Sequence, residues 1–487
     1  MPISWLAWRI LGPRPRILIS PETTWITEPV TDDGYVDYST YILQQYGESS
    51  VPPNETAMGK LIEAELAEPQ NNPVLKYVEF NTAYLCAHSK TPAELRFDAP
   101  IWTQPASRRQ LRLTRPFSSF DDPFAASVIA QNRNWYEKLR GATDQPVTIA
   151  LPNDQVTNVR GNLFDSDCDV YFGHRLQLRV MLNLGERRFG DAWNDIELMQ
   201  RLAAREFAAP VAVGSELNAS LAETTASECA AIGILHAENE IPELKEWLVT
   251  FPIERPVEQL RRRVETDFRI SYLRSTQFSH SQLRPAWTTW GESDWFIRDR
   301  WHDANKDWDE MLRLMNRFIN RVSMVVCPKA TFHQQRCALR EVADEIAFEW
   351  KKAGGSDHGI STSALHVFFK TANQLTASYR FTHIAWYLAA WEAKHGAYPT
   401  ELKDVIPQTE SDSRIERIFT DPFSGERFRY ERRGNGFILY SVGENIEDDF
   451  GIEHSAFLPR GYKSDGNCDI RTGRTPDDIV FKWQPVN

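Results

Sequence analysis

One apolar stripe, over residues 361–395, constrains this chain more than any other feature. Leu365, Phe368, Ala372, Leu375, Tyr379, Trp386 and Ala389 recur at spacings of three, four or seven. That period stacks side chains on one face of an α-helix. A helix of that length is about 50 Å long, and one stripe along it is expected to be buried. Its end is equally explicit. Gly396 suits the left-handed residue that terminates a helix, and Pro399 bars continuation. Thr400 can then cap a short turn through Leu402 and Val405 before Pro407.

Beyond that stop the pattern changes. Phe428–Glu431 and Phe437–Ser441 read as two short strands. Between them lies Arg432-Arg433-Gly434-Asn435-Gly436, where Asn-Gly permits the positive φ of a tight hairpin. An acidic stretch follows, with Glu444, Asn445, Glu447, Asp448 and Asp449, and later Asp477 and Asp478.

Ahead of the stripe the chain is mostly helical. Residues 13–34 read as an extended, Pro-punctuated arm, and Tyr35–Tyr46 as a helix. Asn54 caps a further helix through Ala67, with Met58, Leu61, Ile62 and Leu66 on one face. Asp121 and Asp122 precede a helix over Pro123–Arg140. Leu176, Val180, Leu182 and Leu184 lead into Gly185, and Asp191 is expected to cap a partner helix carrying Ala192, Trp193, Ile196, Met199 and Leu202. That helical hairpin is loosely tetratricopeptide-like, but no 34-residue recurrence supports a solenoid. Further helices are expected near 211–237, 256–277, 304–325 and 332–353, and Gly354-Gly355-Ser356-Asp357 reads as a loop.

The fold class expected is therefore mainly α with a small α+β C-terminal module. The domain reading is an arm at 1–34, an irregular α+β segment at 35–170, a helical body at 171–360, and the long helix with its β module at 361–487.

Composition narrows the partners. With 55 Lys and Arg against 67 Asp and Glu, the formal net charge is −12. Nucleic-acid binding needs a phosphate-neutralising face. The densest basic run, Arg261-Arg262-Arg263, lies between Glu258 and Glu265 and reads as a solvated helix face. No nucleic-acid partner is expected. The six cysteines show no Cys-x-x-Cys pair or zinc spacing and are too sparse for a disulfide scaffold. The apolar start, Ser4–Leu11, falls far short of the ~20 residues a span needs, and no transmembrane helix is expected. It reads either as the stub of an anchor that begins upstream or as a peptide packed on the body.

Catalytic signatures fail one by one. The 11 histidines form no metal motif. No nucleophile elbow or phosphate loop is present. His383, His395, His302 and His358 read as surface or capping residues. The cluster Trp287, Trp290, Trp295, Phe296 and Trp301 reads as packing under a loop or as a partner surface.

Two resemblances rest on particular strings. His395-Gly396-Ala397-Tyr398-Pro399, Leu402, Asp421-Pro422-Phe423-Ser424-Gly425, Phe428-Arg429-Tyr430, Leu439-Tyr440-Ser441-Val442-Gly443 and Asp477-Asp478-Ile479-Val480 together resemble the globular part of the type II secretion major pseudopilin. The likeness covers about a fifth of the chain. It implies a helix leading through a Tyr-Pro turn into a small sheet, with an acidic loop that holds calcium. Ser441, Asn445, Asp448, Asp449 and Asp478 are the metal ligands it implies here, Asn445 standing where that family usually has an acid. The apolar assembly helix of that family does not precede the long helix, so assembly into a pseudopilus is not expected.

The whole chain also resembles a group of uncharacterised planctomycete proteins. That likeness rests on Glu22-Thr23-Thr24 with Thr27-Glu28-Pro29, on Asp33-Gly34-Tyr35-Val36-Asp37-Tyr38 and on the Met181–Glu186 turn with Ala192-Trp193. It implies an envelope setting and no activity. The function expected is a non-enzymatic envelope-associated scaffold or binding protein, stabilised by calcium, with an unnamed protein partner. The competing expectations are a hydrolase whose site is assembled from distant residues and a soluble cytoplasmic adaptor.

Overall fold

A computed structural model describes residues 16–38, 40, 41, 44, 115–131, 133–143, 167–208, 213–237, 243–281, 306–326, 330–355, 360, 362–407, 413–448, 450 and 478–483. The protein is mainly helical with one small three-stranded antiparallel sheet. Numbered over the described residues, the helices begin with α1 (Pro123–Gln131), α2 (Arg133–Thr143), α3 (Asp167–Gly185), α4 (Phe189–Ala208), α5 (Val213–His236) and α6 (Glu243–Thr250). There follow α7 (Val257–Arg263), a π-turn (Val264–Phe268), α8 (Arg269–Ser281), α9 (Trp308–Val325), α10 (Phe332–Lys352), α11 (Ser363–His395) and α12 (Ser413–Phe419). The strands are β1 (Arg429–Arg433), β2 (Gly436–Ser441) and β3 (Ile479–Trp483).

Local chemistry explains several boundaries. Asp307 caps α9 by accepting from Glu310 N at 3.0 Å. Thr331 and Gln334 form a reciprocal capping box on α10. Gly396, at φ 73°, ends α11, its N–H donating to Glu392 O at 2.7 Å.

The side chains gather into two large cores. The first joins α1–α5 and α6's Leu248 to the C-terminal half of α11 and to the sheet, through Leu176, Ile196, Ile232, Phe381, Leu388, Phe437 and Phe481. The second joins the arm, α7–α10 and the N-terminal end of α11, through Ile17, Phe318, Phe332, Leu365, Phe368 and Phe423. A small cluster of Phe251, Leu375 and Tyr379 sits on α11 between those two stretches. α11 is thus the shared spine. Every residue from Ala377 to Ala385 is buried, so the expected single stripe is too narrow there. One neighbour is α5, whose small residues Ala226, Ser227 and Ala230 let the helices approach closely. Thr382 Oγ1 donates to Ser227 O at 2.9 Å across that seam. Trp386, assigned to the stripe, is only half-buried.

Other boundaries shift for identifiable reasons. The expected 256–277 helix is interrupted by the π-turn. Asp191 lies inside the first turn of α4 rather than capping it. Gly185 ends α3 where the Phe117 backbone crosses, and a Cβ there would lie 2.1 Å from Phe117 O. The expected Tyr35–Tyr46 helix starts later, with residues 38, 40, 41 and 44 helical, because Val36 bridges Val30 and Asp37 accepts from Thr40 N at 3.0 Å. The Asn54–Ala67 helix and the 282–305 tryptophan cluster lie outside the described residues. Among the described residues, no helix is long and apolar enough to cross a membrane.

In the sheet, β2 is central and buried throughout, pairing with β1 from Arg433↔Gly436 and with β3 at Ser441↔Ile479. The hairpin turn differs from expectation. Strand pairing runs to Arg433 and Gly436, and Gly434 supplies the positive φ, 61°, that Asn435-Gly436 was expected to give.

Candidate functional site

The C-terminal module is organised around a carboxylate. Asp421 opens the Asp-Pro-Phe-Ser-Gly turn and is 1% exposed. Its Oδ1 accepts from Phe423 N at 2.9 Å and from Ser441 Oγ at 2.7 Å. Its Oδ2 accepts from Val442 N and Ser424 Oγ, both at 3.2 Å. Its own N–H donates to Glu426 O at 2.6 Å, and its carbonyl accepts from Gly425 N. Burial pushes this carboxyl above its ordinary range, and the four donors offset only part of that rise. One side chain therefore ties the turn after α12 to the end of β2.

The same turn is fixed to the helical body. Phe332 N donates to Pro422 O at 3.0 Å, and the Phe332 and Phe423 rings pack 5.1 Å apart. Gly425, at φ 79°, leaves no room for a Cβ, which would lie 2.8 Å from the Thr331 methyl.

The implied metal ligands are placed as follows. Ser441 is fully buried and turned to Asp421, while its Oγ also accepts from Gly443 N at 3.2 Å. Asn445 Oδ1 accepts from Glu447 N at 2.7 Å in a local turn. Asp448 Oδ1 accepts from Tyr440 Oη at 3.0 Å and from Phe450 N at 2.9 Å, and its Oδ2 faces Arg429 Nε at 3.7 Å. Asp478, 2% exposed, immediately precedes β3. Burial pushes the Tyr440 phenol up, and Asp448 and Asp478 push it the same way, so these two carboxylates share a neighbourhood. Asp449 lies outside the described residues.

Calcium asks for six to eight converging oxygens. Among the described residues no group of three His, Cys, Asp or Glu side chains is placed to hold a metal. Ser441 faces the interior, Asn445 folds back on its own turn, and a guanidinium already stands beside Asp448. As placed, Ser441, Asn445 and Asp448 each already meet groups of the protein itself.

Glu444, an acid of the loop not singled out as a ligand, meets three side chains of the helical body. Glu444 accepts from Lys370 Nζ and from His366 Nε2, each at 2.8 Å, with Arg336 Nη1 at 3.8 Å.

The body holds its own ionic networks. Glu223 Oε2 accepts from Arg255 Nε at 3.0 Å, Arg255 Nη2 at 2.9 Å and Tyr379 Oη at 2.7 Å. Burial holds the Tyr379 phenol well above its ordinary value, and Glu223 adds to that. Asp195 pairs with Arg179 through Nε at 2.7 Å and through a second, Nη2 contact, with Asn183 alongside. Arg380 reaches Glu254 at 3.2 Å and Thr420 O at 2.6 Å, and Arg417 meets the other oxygen of Glu254.

His383, read from sequence as surface or capping, is instead a core residue, 5% exposed, with Nε2 3.3 Å from Phe251 O. Burial, and then Arg414 nearby, lower its pKa to about 4. His395 is exposed, its ring stacked on Trp391 at 3.9 Å. His302 and His358 lie outside the described residues. Cys229 is a buried free thiol and Cys337 an exposed one.

Comparison with protein families, with curated proteins and with solved structures finds no match for this chain.

Proposed function

We propose that this chain is a non-enzymatic, envelope-associated scaffold or binding protein that carries a pseudopilin-like module on a helical body. The observation that carries the reading is the junction at Phe423. This residue of the Asp-Pro-Phe-Ser-Gly turn lies in the second core, while the strands that follow it lie in the first. The module is thereby held rigidly against the body, as a display platform requires. The ionic networks support the same reading, because Glu223, Asp195 and Asp421 each meet donors supplied by the protein itself. The envelope setting rests on the two sequence resemblances. The calcium they imply is the competing account of how the loop after β2 is held.

The reading is tested with a tagged full-length chain in its native host. Fractionation followed by in-cell cross-linking and mass spectrometry should place the chain in the envelope fraction, joined to a small recurrent set of proteins. Recovery in the cytosolic fraction would favour the adaptor. Turnover of ester, peptide or glycoside panels by the purified chain would favour the hydrolase.

A further inference from the structure

The loop after β2 adopts a conformation that needs holding. Gly443 has φ 66°, and Ile446 and Phe450 have φ 61° and 59°. A β-branched residue such as Ile446 is a genuine outlier in that region, and strain of this kind persists only where the surroundings over-determine it. Local turns contribute through Asn445 Oδ1 and Asp448 Oδ1. Asp448 reaches the sheet through Tyr440 and Arg429, and Glu444, two residues before Ile446, ties the loop to the helical body.

Glu444 is seated between two helices. Lys370 and His366 are one turn apart on α11, and Arg336 projects from α10. The four side chains are all partly shielded, between 24% and 31% exposed. Two of the partners are themselves braced. The His366 ring packs edge-on at 5.5 Å from Phe332, and the Arg336 guanidinium lies 6.0 Å from the same ring. Phe332 is also the residue that receives Phe423 and the Pro422 carbonyl. The loop and the Asp-Pro-Phe turn therefore land on one anchor point at the start of α10. A carboxylate gripped by several charge-assisted bonds in a partly shielded site is held far better than a solvated one.

We propose that this loop is closed by side chains of the helical body, with the Lys370 and Arg336 cations and the His366 ring gripping Glu444 where the pseudopilin resemblance implies a calcium ion. This proposal concerns how the module is closed and is independent of the scaffold reading.

The test uses hydrogen exchange on the full chain, read at the amides of residues 443–448. Glu444→Gln and Lys370→Met should each raise exchange there by about tenfold. The double variant should be little worse than either, because both remove one interaction. Calcium at about 5 mM, or a chelator, should leave wild-type exchange unchanged and should not rescue the variants. The proposal is overturned if calcium protects the wild-type loop and chelator exposes it. It is equally overturned if both single variants exchange like wild type.

Discussion

Ser441 Oγ donates to Asp421 Oδ1 at 2.7 Å, joining residues 20 apart in sequence inside a fully buried site. Replacing Asp421 by Ala leaves the Phe423 and Val442 amides without their acceptor in that interior. The expected loss is about 2–4 kcal/mol. Ser441→Ala removes one bond and should cost about 1 kcal/mol. Urea unfolding of both variants checks the ranking, and an Asp421→Ala protein as stable as wild type would remove Asp421 from its organising role.

Two glycines make an internal control. At Gly185 a Cβ would sit 2.1 Å from Phe117 O, in backbone that cannot swing aside cheaply. Gly185→Ala should destabilise by about 1–3 kcal/mol. At Gly141, in α2, a Cβ meets nothing within 4 Å. Gly141→Ala should stabilise by roughly 0.5–1 kcal/mol, because alanine is the better helix former. Melting temperatures moving in opposite directions are the expected result.

His383 makes stability depend on pH with a definite sign. Its ordinary pKa of 6.5 falls to about 4 in the folded protein. The unfolded chain therefore takes up the proton first on acidification. The contribution is complete above the unfolded value and is lost as pH falls from about 6.5 through about 4, amounting to about 3 kcal/mol. His383→Gln keeps a donor for Phe251 O and does not titrate. The stability gap between about pH 7.5 and about pH 4.5 should be smaller in that variant than in wild type. Equal gaps would mean His383 is not held neutral.

The Glu223 network should behave as a buried ion pair. Glu223→Gln leaves Arg255, 5% exposed, without its carboxylate, and breaking such a pair costs about 3–5 kcal/mol. Tyr379→Phe removes one neutral donor and should cost about 1 kcal/mol. Arg255→Met alone should resemble Glu223→Gln, whereas the double variant should be less damaging than the two losses added. Simple additivity in denaturant melts would refute the coupling.

How much of this was legible in the sequence depends on the range of the interaction that decides each element. α11 was readable almost to the residue, because its period and its Gly396 stop are local. So were α10 and the two strands of the hairpin. The helices α6 and α12, at 8 and 7 residues, are too short to show a period. Among the described residues β3 pairs with β2 alone, about 40 residues back, which no local pattern announces. Asp421 stood out in the sequence only as part of the Asp-Pro-Phe-Ser-Gly string, since its burial is a tertiary fact. Glu444 read as one acid in a solvated run, since His366 lies 78 residues upstream. The partners of Asp448 were hidden for the same reason: counting acids in a loop does not reveal that Tyr440 and Arg429 face one of them.

The placement of α11 has a consequence for biosynthesis. The residues of the first core between Phe117 and Leu248 are complete early, yet their lid is Ala377–Ala389. A chain emerging from the ribosome must therefore keep that apolar surface waiting for well over a hundred further residues. Nascent chains arrested before about residue 390 should depend on chaperone shielding, and those released just beyond the sheet should not.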